Sequence, residues 1–206
     1  MIEFDVRRTN DKVLIAYHDE SIDGRPVKKL TFEAIGHVAK KQGFHVPTAE
    51  EVLRFTRGKI KLDVELKEEG YEKEMVEIIS RYFEEDQFVI TSFNDVSLRT
   101  IKNTYPRIQV GLILGKSRAS LRTRISEFFP LKRCNQAKAD FLVPHWKLLK
   151  FGFLARAEGN KKPVLVWTVN DQEMIRALVR DGRVYGIVTD RVDLAVSLRK
   201  KLLISS

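Results

Sequence analysis

The sequence predicts an α/β fold in which helices cover a parallel sheet, most simply a (β/α) barrel. Short runs rich in β-branched residues alternate with longer amphipathic runs as far as the C-terminus, which is the pattern of repeated β–α units. Several of the short runs are apolar almost throughout, as is typical of strands buried on both faces of a sheet. Seven of these runs fit the parallel strands of a barrel, which normally has eight.

Eight short segments are predicted to be strands. They lie at residues 2–6, 12–18, 60–66, 88–93, 108–114, 140–144, 163–169 and 185–190. In the first of them, Glu3 and Asp5 alternate with apolar residues, so both carboxylates lie on one face of the strand. Only RRTND separates the first two segments. This is too short for a crossover helix, so these two segments are predicted to form an antiparallel hairpin.

Seven longer segments are predicted to be helices. They lie at residues 47–56, 71–83, 94–105, 119–129, 147–159, 171–182 and 193–203. Thr48 and Glu51 have the spacing of a capping box at the start of the first helix. Asn94 is a good N-cap for the third. Gly159 and Gly182 lie where helices are expected to end.

Length and composition indicate a single domain over residues 1–206, with a small insert at about residues 20–46. The hydrophobic fraction of 43% and the charged fraction of 32% are those of a soluble globular protein. No apolar run approaches the ~20 residues needed to span a bilayer. The lone Cys134 excludes an internal disulfide framework and favours a reducing compartment, so a cytoplasmic location is expected.

The net charge of +9 and the pI near 9.6 favour an anionic partner, such as a phosphate substrate, a nucleic acid or an anionic lipid. The densest basic segment, at residues 116–138, has a mostly helical pattern and is more simply a solvated helix face than a nucleic-acid patch. Zinc-finger spacings and aromatic RNA-binding motifs are absent from the sequence. No nucleic-acid partner is therefore expected.

Polar residues cluster where the predicted strands end, which in a (β/α) barrel is the face that carries the active site. Glu3 and Asp5 share one face of the first strand. Asp63, Glu65 and Lys67 share one face of the third segment, because side chains alternate along a strand with a period of two. The other polar residues at or near strand ends are His18, Asp19, Trp167, Asn170, Thr189 and Asp190.

Carboxylates that converge inside a barrel need a cation or a proton, because burying an unpaired charge costs several kcal/mol. Glu3, Asp5 and Glu65 offer three hard oxygen ligands, which suit Mg²⁺ or Ca²⁺ better than zinc. Together with Lys67, such a cation would form a cradle for a phosphate oxyanion. His18 is suited to moving a proton near neutral pH.

Each of these features also has a simpler structural interpretation. A Glu-x-Asp pattern is more often a solvated strand face than a ligand pair. Asp63, Glu65 and Lys67 could form a cross-strand ion network, and Trp167 could be a core residue. The functional interpretation depends on several such signals falling at strand ends in one barrel order.

The segment IEFDVRRTNDKVLIAYHDESIDG resembles the glycerophosphodiester phosphodiesterase family, whose pattern is a Glu-x-Asp-Val strand, a Thr-x-Asp hairpin and a terminal His-Asp. The resemblance continues in order through VKKLTFEAI, VPTAEEVL, LDVELK, TSFN, PRIQVGL, VPHW, VWTVN and GIVTD, and it covers essentially the whole chain. It implies a TIM-type barrel of the phospholipase C-like phosphodiesterase kind. It also implies metal-dependent hydrolysis of glycerophosphodiesters, such as glycerophosphocholine, to glycerol 3-phosphate and an alcohol.

The resemblance implies roles for individual residues. Glu3, Asp5 and Glu65 match the family's metal ligands, for which Mg²⁺ or Ca²⁺ is the implied ion. His18 matches the second of two catalytic histidines, and Lys67 matches a residue that contacts the phosphate. The implied substrate-binding residues are Lys67, Trp167 and Phe93. A small-molecule glycerophosphodiester is the implied substrate.

The sequence departs from the family's pattern at its start. Members begin with a strand that ends in His-Arg-Gly and carries the first catalytic histidine, so the first β–α unit is expected to be missing from this chain. His45 and His145 are the candidates for replacing that histidine. A barrel of seven strands would leave the edges of segments 2–6 and 185–190 unpaired, so a homodimer through this seam is a further expectation.

Two functions therefore compete. The first is a metal-dependent phosphodiesterase that acts by histidine acid/base catalysis. The second is a catalytically impaired or inactive relative that serves as a phosphate-binding, metal-binding or partner module. The presence of the matching acidic, histidine and lysine residues favours the first function, and the missing His-Arg-Gly segment favours the second.

Overall fold

The computed structural model of the protein describes residues 1–115 and 130–204. The chain forms two compact units, residues 1–110 and residues 111–206. The helix predicted at 119–129 lies outside the described residues. Among the helices within the two described ranges, none combines the length and apolar character needed to cross a bilayer.

The first unit is organised around a mainly parallel sheet. Its strands are β1 (Ile2–Arg8), β2 (Leu14–Ala16), β3 (Ser21–Ile22), β4 (Arg25–Pro26), β5 (Leu62–Leu66) and β6 (Phe88–Ser92). Four of them form one sheet in the order β2–β1–β5–β6. β1 pairs antiparallel with β2, which confirms the predicted hairpin, whereas β1–β5 and β5–β6 are parallel.

The insert predicted at about residues 20–46 is an ordered layer of the first unit. β3 and β4 form a short hairpin, and a 3₁₀ turn (Val27–Lys29) leads into a helix, Phe32–Lys41, which is absent from the predicted elements. The Thr31 hydroxyl caps this helix by accepting the Ala34 N–H. The layer is held by a buried apolar cluster of Ile15, Ile22, Val27, Leu30, Ile35, Ala39 and Val46.

Three further helices of the first unit confirm predicted ones. They are Ala49–Thr56, Glu72–Ile79 and Asp95–Thr104. The predicted capping box is present, because the Glu51 N–H donates to the Thr48 hydroxyl at 3.1 Å and the Thr48 N–H donates to the Glu51 carboxylate at 2.7 Å. The Asn94 side chain accepts the Val96 N–H at 2.9 Å, as expected of an N-cap.

The second unit continues the alternation of strands and helices. Its strands are β7 (Gln109–Leu114), which begins at the boundary of the units, β8 (Phe141–Pro144), β9 (Leu165–Val166) and β10 (Gly186–Ile187). β7–β8 and β9–β10 are parallel pairs, and isolated parallel bridges from Leu142 to Val164 and from His145 to Trp167 link the segments around β8 and β9. Gly111 lies opposite Phe141, where a Cβ atom would approach the aromatic ring to 2.3 Å, so a larger residue at 111 would have to displace this ring.

The described helices of the second unit are Pro130–Gln136, Phe153–Gly159, Gln172–Arg180 and Val192–Ile204. The last two confirm the predicted helices at 171–182 and 193–203. The continuous helix predicted at 147–159 is wrong. A 3₁₀ turn at Trp146–Leu148 is followed by Phe151 and Gly152 at φ 55° and 72°, and left-handed residues cannot continue a right-handed helix.

Candidate functional site

The parallel register of β1 and β5 brings the predicted carboxylates together. Asp5 lies beside Glu65, and Glu3 lies beside Asp63 on the same two strands. One ligand oxygen from each of Glu3, Asp5 and Glu65 lies within 4.8 Å of the others. We call these three residues the carboxylate cluster. Asp63 lies outside it and accepts a hydrogen bond from the Thr91 hydroxyl at 2.7 Å.

Lys67 supplies a positive charge inside the carboxylate cluster. Its Nζ atom lies 2.6 Å from Asp5 Oδ1 and 2.6 Å from Glu65 Oε1, and all three side chains are largely buried. The backbone fixes this position, because the Lys67 N–H donates to the Val6 carbonyl at 3.2 Å and so extends the pairing of β1 with β5. The ion network that the simpler interpretation predicted is thus present, but it includes Asp5 rather than Asp63.

The electrostatics of the cluster show an excess of negative charge. Burial, together with the charges of Asp5 and Glu65, raises the pKa of Glu3 to about 8. Burial also raises the pKa of Glu65, although the Lys67 ammonium opposes the rise. The pKa of Asp63 is raised to about 7, again by burial, despite its hydrogen bond from Thr91. One ammonium group therefore does not compensate these carboxylates, and a further cation would stabilise their ionised forms.

The donor set fits a hard divalent cation. Glu3 Oε1 is buried and accepts no hydrogen bond from the described residues. A buried carboxylate oxygen without a partner is costly, and a metal ion is one of the partners that satisfies it. The ligands are all carboxylate oxygens, which Mg²⁺ and Ca²⁺ prefer, whereas zinc sites are built mostly from nitrogen and sulfur.

His18 follows β2 at the end of the hairpin. The Tyr17 N–H donates to the Asp5 carbonyl at 3.0 Å, so the hairpin pairing continues to the residue before His18. The His18 side chain is 75% exposed, and its Nδ1 atom lies 2.8 Å from Asp19 Oδ1. An ionised Asp19 carboxylate can only accept, so in this contact Nδ1–H is the donor and Nε2 is the ring nitrogen that could face a substrate.

A largely buried hydrogen-bond network that the sequence prediction missed holds the backbone of His18 in place. Arg7 Nε and Nη2 donate to the His18 carbonyl at 3.0 and 2.9 Å, and Arg7 Nη1 pairs with Glu68. The Tyr71 hydroxyl donates to the Val6 carbonyl at 2.6 Å and lies 3.1 Å from Glu68 Oε2. The sequence did contain a signal for Arg7. Side chains alternate along a strand with a period of two, so Arg7 lies on the same face of β1 as Glu3 and Asp5.

The remaining predicted site residues lie in different parts of the chain. Phe93 is half-buried immediately after β6 in the first unit. Trp167 is half-buried after β9 in the second unit, where its Nε1–H donates to the Leu114 carbonyl at 3.1 Å. His145 packs against two tryptophan rings in the second unit, and its Nδ1 accepts the Lys147 N–H at 3.2 Å.

The polar residues predicted near the last two strand ends form a local network within the second unit. The Asn170 amide donates to Asp190 Oδ2 at 2.6 Å, and the Thr189 hydroxyl donates to Asn170 Oδ1 at 3.1 Å. The Asp190 N–H also donates to Asn170 Oδ1, at 2.9 Å. These bonds tie the segments that follow β9 and β10 to one another.

Comparisons with known proteins agree with the resemblance. Residues 1–194 match the Glycerophosphoryl diester phosphodiesterase family. A glycerophosphodiester phosphodiesterase of Caldanaerobacter subterraneus is 27% identical over 97% of this chain and 86% of its own length. A solved glycerophosphodiester phosphodiesterase of Parabacteroides distasonis has a TM-score of 0.79 at 23% identity, over 97% of this chain and 84% of that one. An Oleispira antarctica phosphodiesterase, solved with the product sn-glycerol-3-phosphate, has a TM-score of 0.75 at 19% identity. The match covers 95% of this chain and 84% of that one.

Proposed function

Because the chain belongs to the glycerophosphoryl diester phosphodiesterase family, we propose that it is a divalent-metal-dependent hydrolase that converts glycerophosphodiesters to glycerol 3-phosphate and an alcohol. The observation that carries this proposal is the carboxylate cluster, with Lys67 2.6 Å from two of its members. The product that the Oleispira antarctica enzyme binds, sn-glycerol-3-phosphate, agrees with this substrate class. Release of glycerol 3-phosphate from glycerophosphocholine, measured with and without a divalent cation, tests the proposal.

The proposed roles follow from the chemistry of the side chains. Glu3, Asp5 and Glu65 would hold the cation, which when bound supplies positive charge for the phosphate oxygens. Lys67 would add a second positive charge toward the same phosphate. His18 would exchange a proton with a substrate oxygen through Nε2, while Asp19 holds the imidazole through Nδ1.

Several finer points are proposals argued from sequence and chemistry. The oxygen-only ligand set suits Mg²⁺ and Ca²⁺ alike, so both are proposed as the metal. Phe93 and Trp167 are proposed to contact the substrate, as the resemblance implies. A homodimer and a cytoplasmic location are proposed from the predicted open strand edges and the lone Cys134, respectively.

Replacing Lys67 by methionine is expected to destabilise the metal-free protein by about 3 kcal/mol, because it leaves the buried Asp5 and Glu65 carboxylates without their counter-ion. Saturating Mg²⁺ should recover most of that loss, since the cation supplies the missing positive charge. Urea unfolding in EDTA and in Mg²⁺ measures both effects.

Lys61→Met is the matched control for this substitution. Lys61 is exposed and donates to the Asp86 carbonyl, so its replacement should change the free energy of unfolding by less than about 0.5 kcal/mol. Equal losses of unfolding free energy in the two variants would contradict the proposed electrostatics. So would a Lys67→Met protein whose stability does not increase in Mg²⁺.

Replacing Arg7 by lysine is expected to lower kcat about tenfold and leave KM nearly unchanged. Lysine can still pair with Glu68 but cannot donate two forked hydrogen bonds to the His18 carbonyl, so the histidine loses its alignment rather than its charge. Steady-state hydrolysis, with thermal unfolding measured alongside, checks this positioning role.

Arg8→Lys is the neighbouring control, because the Arg8 guanidinium donates to the Gly70 carbonyl rather than to the His18 carbonyl. It should keep kcat within about twofold of the parent. A fall in stability without a fall in kcat for Arg7→Lys would assign Arg7 a structural role only.

A further inference from the structure

The two units of the chain carry opposite net charges. Residues 1–110 contain 18 lysines and arginines and 20 aspartates and glutamates. Residues 111–206 contain 19 lysines and arginines but only 8 aspartates and glutamates. The formal net charges are therefore −2 and +11. Such asymmetry is typical of a chain in which one part faces an anionic macromolecule or surface.

An exposed aromatic side chain stands within this basic unit. Phe151 is 87% exposed, more than any other large apolar side chain of the described residues. It lies in the loop between β8 and the helix Phe153–Gly159, which we call the Phe151 loop (residues 145–152). The loop also carries Trp146, which is half-buried.

The backbone holds Phe151 outward in an unfavourable conformation. Phe151 has φ 55° and Gly152 has φ 72°, and a left-handed conformation is rare for a bulky residue. The Arg156 guanidinium donates to the Phe151 carbonyl, which fixes this turn from the following helix. The chain thus accepts backbone strain, and the strained turn leaves the aromatic ring in solvent.

Three cations lie near Phe151 along the chain, and one of them, Arg156, contacts its backbone carbonyl. Lys147 and Lys150 are exposed on the Phe151 loop, and the Lys147 ammonium lies 5.3 Å from the centre of the Trp146 ring. Arg156 is exposed one turn into the next helix. Within residues 141–170 there are five lysines and arginines, and Glu158 is the single carboxylate. In this segment, positive charges therefore outnumber negative charges by four.

We propose that the Phe151 loop binds the surface of an anionic lipid membrane. The phenylalanine ring would enter the headgroup region, where aromatic side chains partition favourably, while Lys147, Lys150 and Arg156 contact the lipid phosphates. This surface lies in the second unit, whereas the proposed metal ligands, Lys67 and His18 lie in the first unit.

A lipid surface accounts for the apolar ring as well as the charge. The phosphates of a nucleic-acid duplex would also bind the cations. Binding to a duplex would not, however, explain why a strained backbone keeps a phenylalanine ring exposed to solvent. A hydrophobic protein partner would use the ring, but it gives no role to Lys147, Lys150 and Arg156. The combination of ring and cations favours the membrane surface.

The test is sedimentation of the full chain with vesicles, in EDTA so that no divalent cation bridges protein and lipid. Vesicles of phosphatidylcholine alone are compared with vesicles that contain one quarter phosphatidylglycerol. Binding is expected only to the anionic vesicles and should weaken as salt is raised. Phe151→Ser should weaken it about tenfold, and Lys147→Gln or Lys150→Gln about fivefold each.

The first unit provides a matched control. Phe55 is 72% exposed and has the Lys59 ammonium 4.0 Å from its ring centre, but it lies in the unit of negative net charge. Phe55→Ser should leave vesicle binding unchanged, and Phe151→Trp should preserve it. Equal effects of Phe55→Ser and Phe151→Ser would overturn the proposal. Binding to a DNA duplex without binding to anionic vesicles would also overturn it and would assign the positive charge to nucleic acid.

Discussion

Replacing Glu65 by glutamine is expected to lower kcat/KM for glycerophosphocholine by at least about a thousandfold. The substitution keeps the shape of the side chain and an oxygen for the Lys67 ammonium, but it removes a charge from the proposed cation site. A bound metal ion contributes several kcal/mol to the stabilisation of transition-state charge, and loss of about 4 kcal/mol corresponds to that factor. Steady-state release of glycerol 3-phosphate measures the effect.

The same variant has a readout that does not depend on activity. At a concentration of Mg²⁺ about a hundredfold above its dissociation constant, binding should stabilise the parent by about 2.7 kcal/mol and raise its Tm by about 5–10 °C. Glu65→Gln should lose this response. Its stability in EDTA should be unchanged or higher, because glutamine relieves repulsion with Glu3 and Asp5.

Glu72→Gln provides the matched control. Glu72 is also buried, but it lies outside the carboxylate cluster and accepts hydrogen bonds from the Gly70 N–H and the Ser97 hydroxyl. Its replacement should cost about 1–3 kcal/mol of stability and leave the response to Mg²⁺ intact. A Glu65→Gln protein that keeps both its activity and its metal response would contradict the ligand assignment.

Replacing His18 by glutamine is expected to reduce kcat by about 10²–10⁴-fold, the usual effect of removing a general acid or base. His18 is largely exposed, so the free energy of unfolding should change little. The response of the Tm to Mg²⁺ should persist, because the carboxylate cluster is untouched. Assays of hydrolysis and of metal-induced stabilisation on one preparation separate these effects.

His37→Gln is the control for His18→Gln, since His37 is an exposed histidine on the helix Phe32–Lys41 that faces Glu33. It should retain the parent activity. Full activity in His18→Gln would assign the proton transfer to another group, and loss of metal binding in the same variant would make His18 a ligand instead.

The carboxylate cluster could be predicted from sequence because two rigid rules determine it. Side chains alternate along a strand, so Glu3 and Asp5 must share a face, as must Glu65 and Lys67. Parallel pairing of consecutive β–α units then places the two strands side by side, as the observed register of Asp5 with Glu65 shows. The hairpin was equally predictable, because five residues cannot form a crossover.

Other features depend on contacts that alternation does not reveal. Asp63 shares the face of Glu65, but it bonds to Thr91 on the next strand, so a contact across β5 and β6 separates it from the carboxylate cluster. Arg7 reaches the carbonyl of His18 only because the hairpin folds back over β1. Both cases require the position of a neighbouring strand, which the spacing of residues along one segment does not give.

Local backbone geometry explains the largest error in secondary structure. The segment KLLKFGFLARAEG has a continuous amphipathic pattern, which predicted one helix at 147–159. Gly152 is the residue that argues against one continuous helix. Glycine readily adopts the left-handed conformation, and here Gly152 adopts it just before the helix Phe153–Gly159 begins. The helix Phe32–Lys41 was missed for a different reason, since it buries only Ile35 and Ala39 and packs them against apolar residues from several other segments.

The central claim, a cation-dependent phosphodiesterase, is tested most directly by hydrolysis of glycerophosphocholine with this 206-residue chain in Mg²⁺, in Ca²⁺ and in EDTA. We predict release of glycerol 3-phosphate that EDTA abolishes and that added Mg²⁺ or Ca²⁺ restores. Hydrolysis that persists in EDTA, or no hydrolysis by a folded chain whose Tm responds to the metal, would contradict the claim.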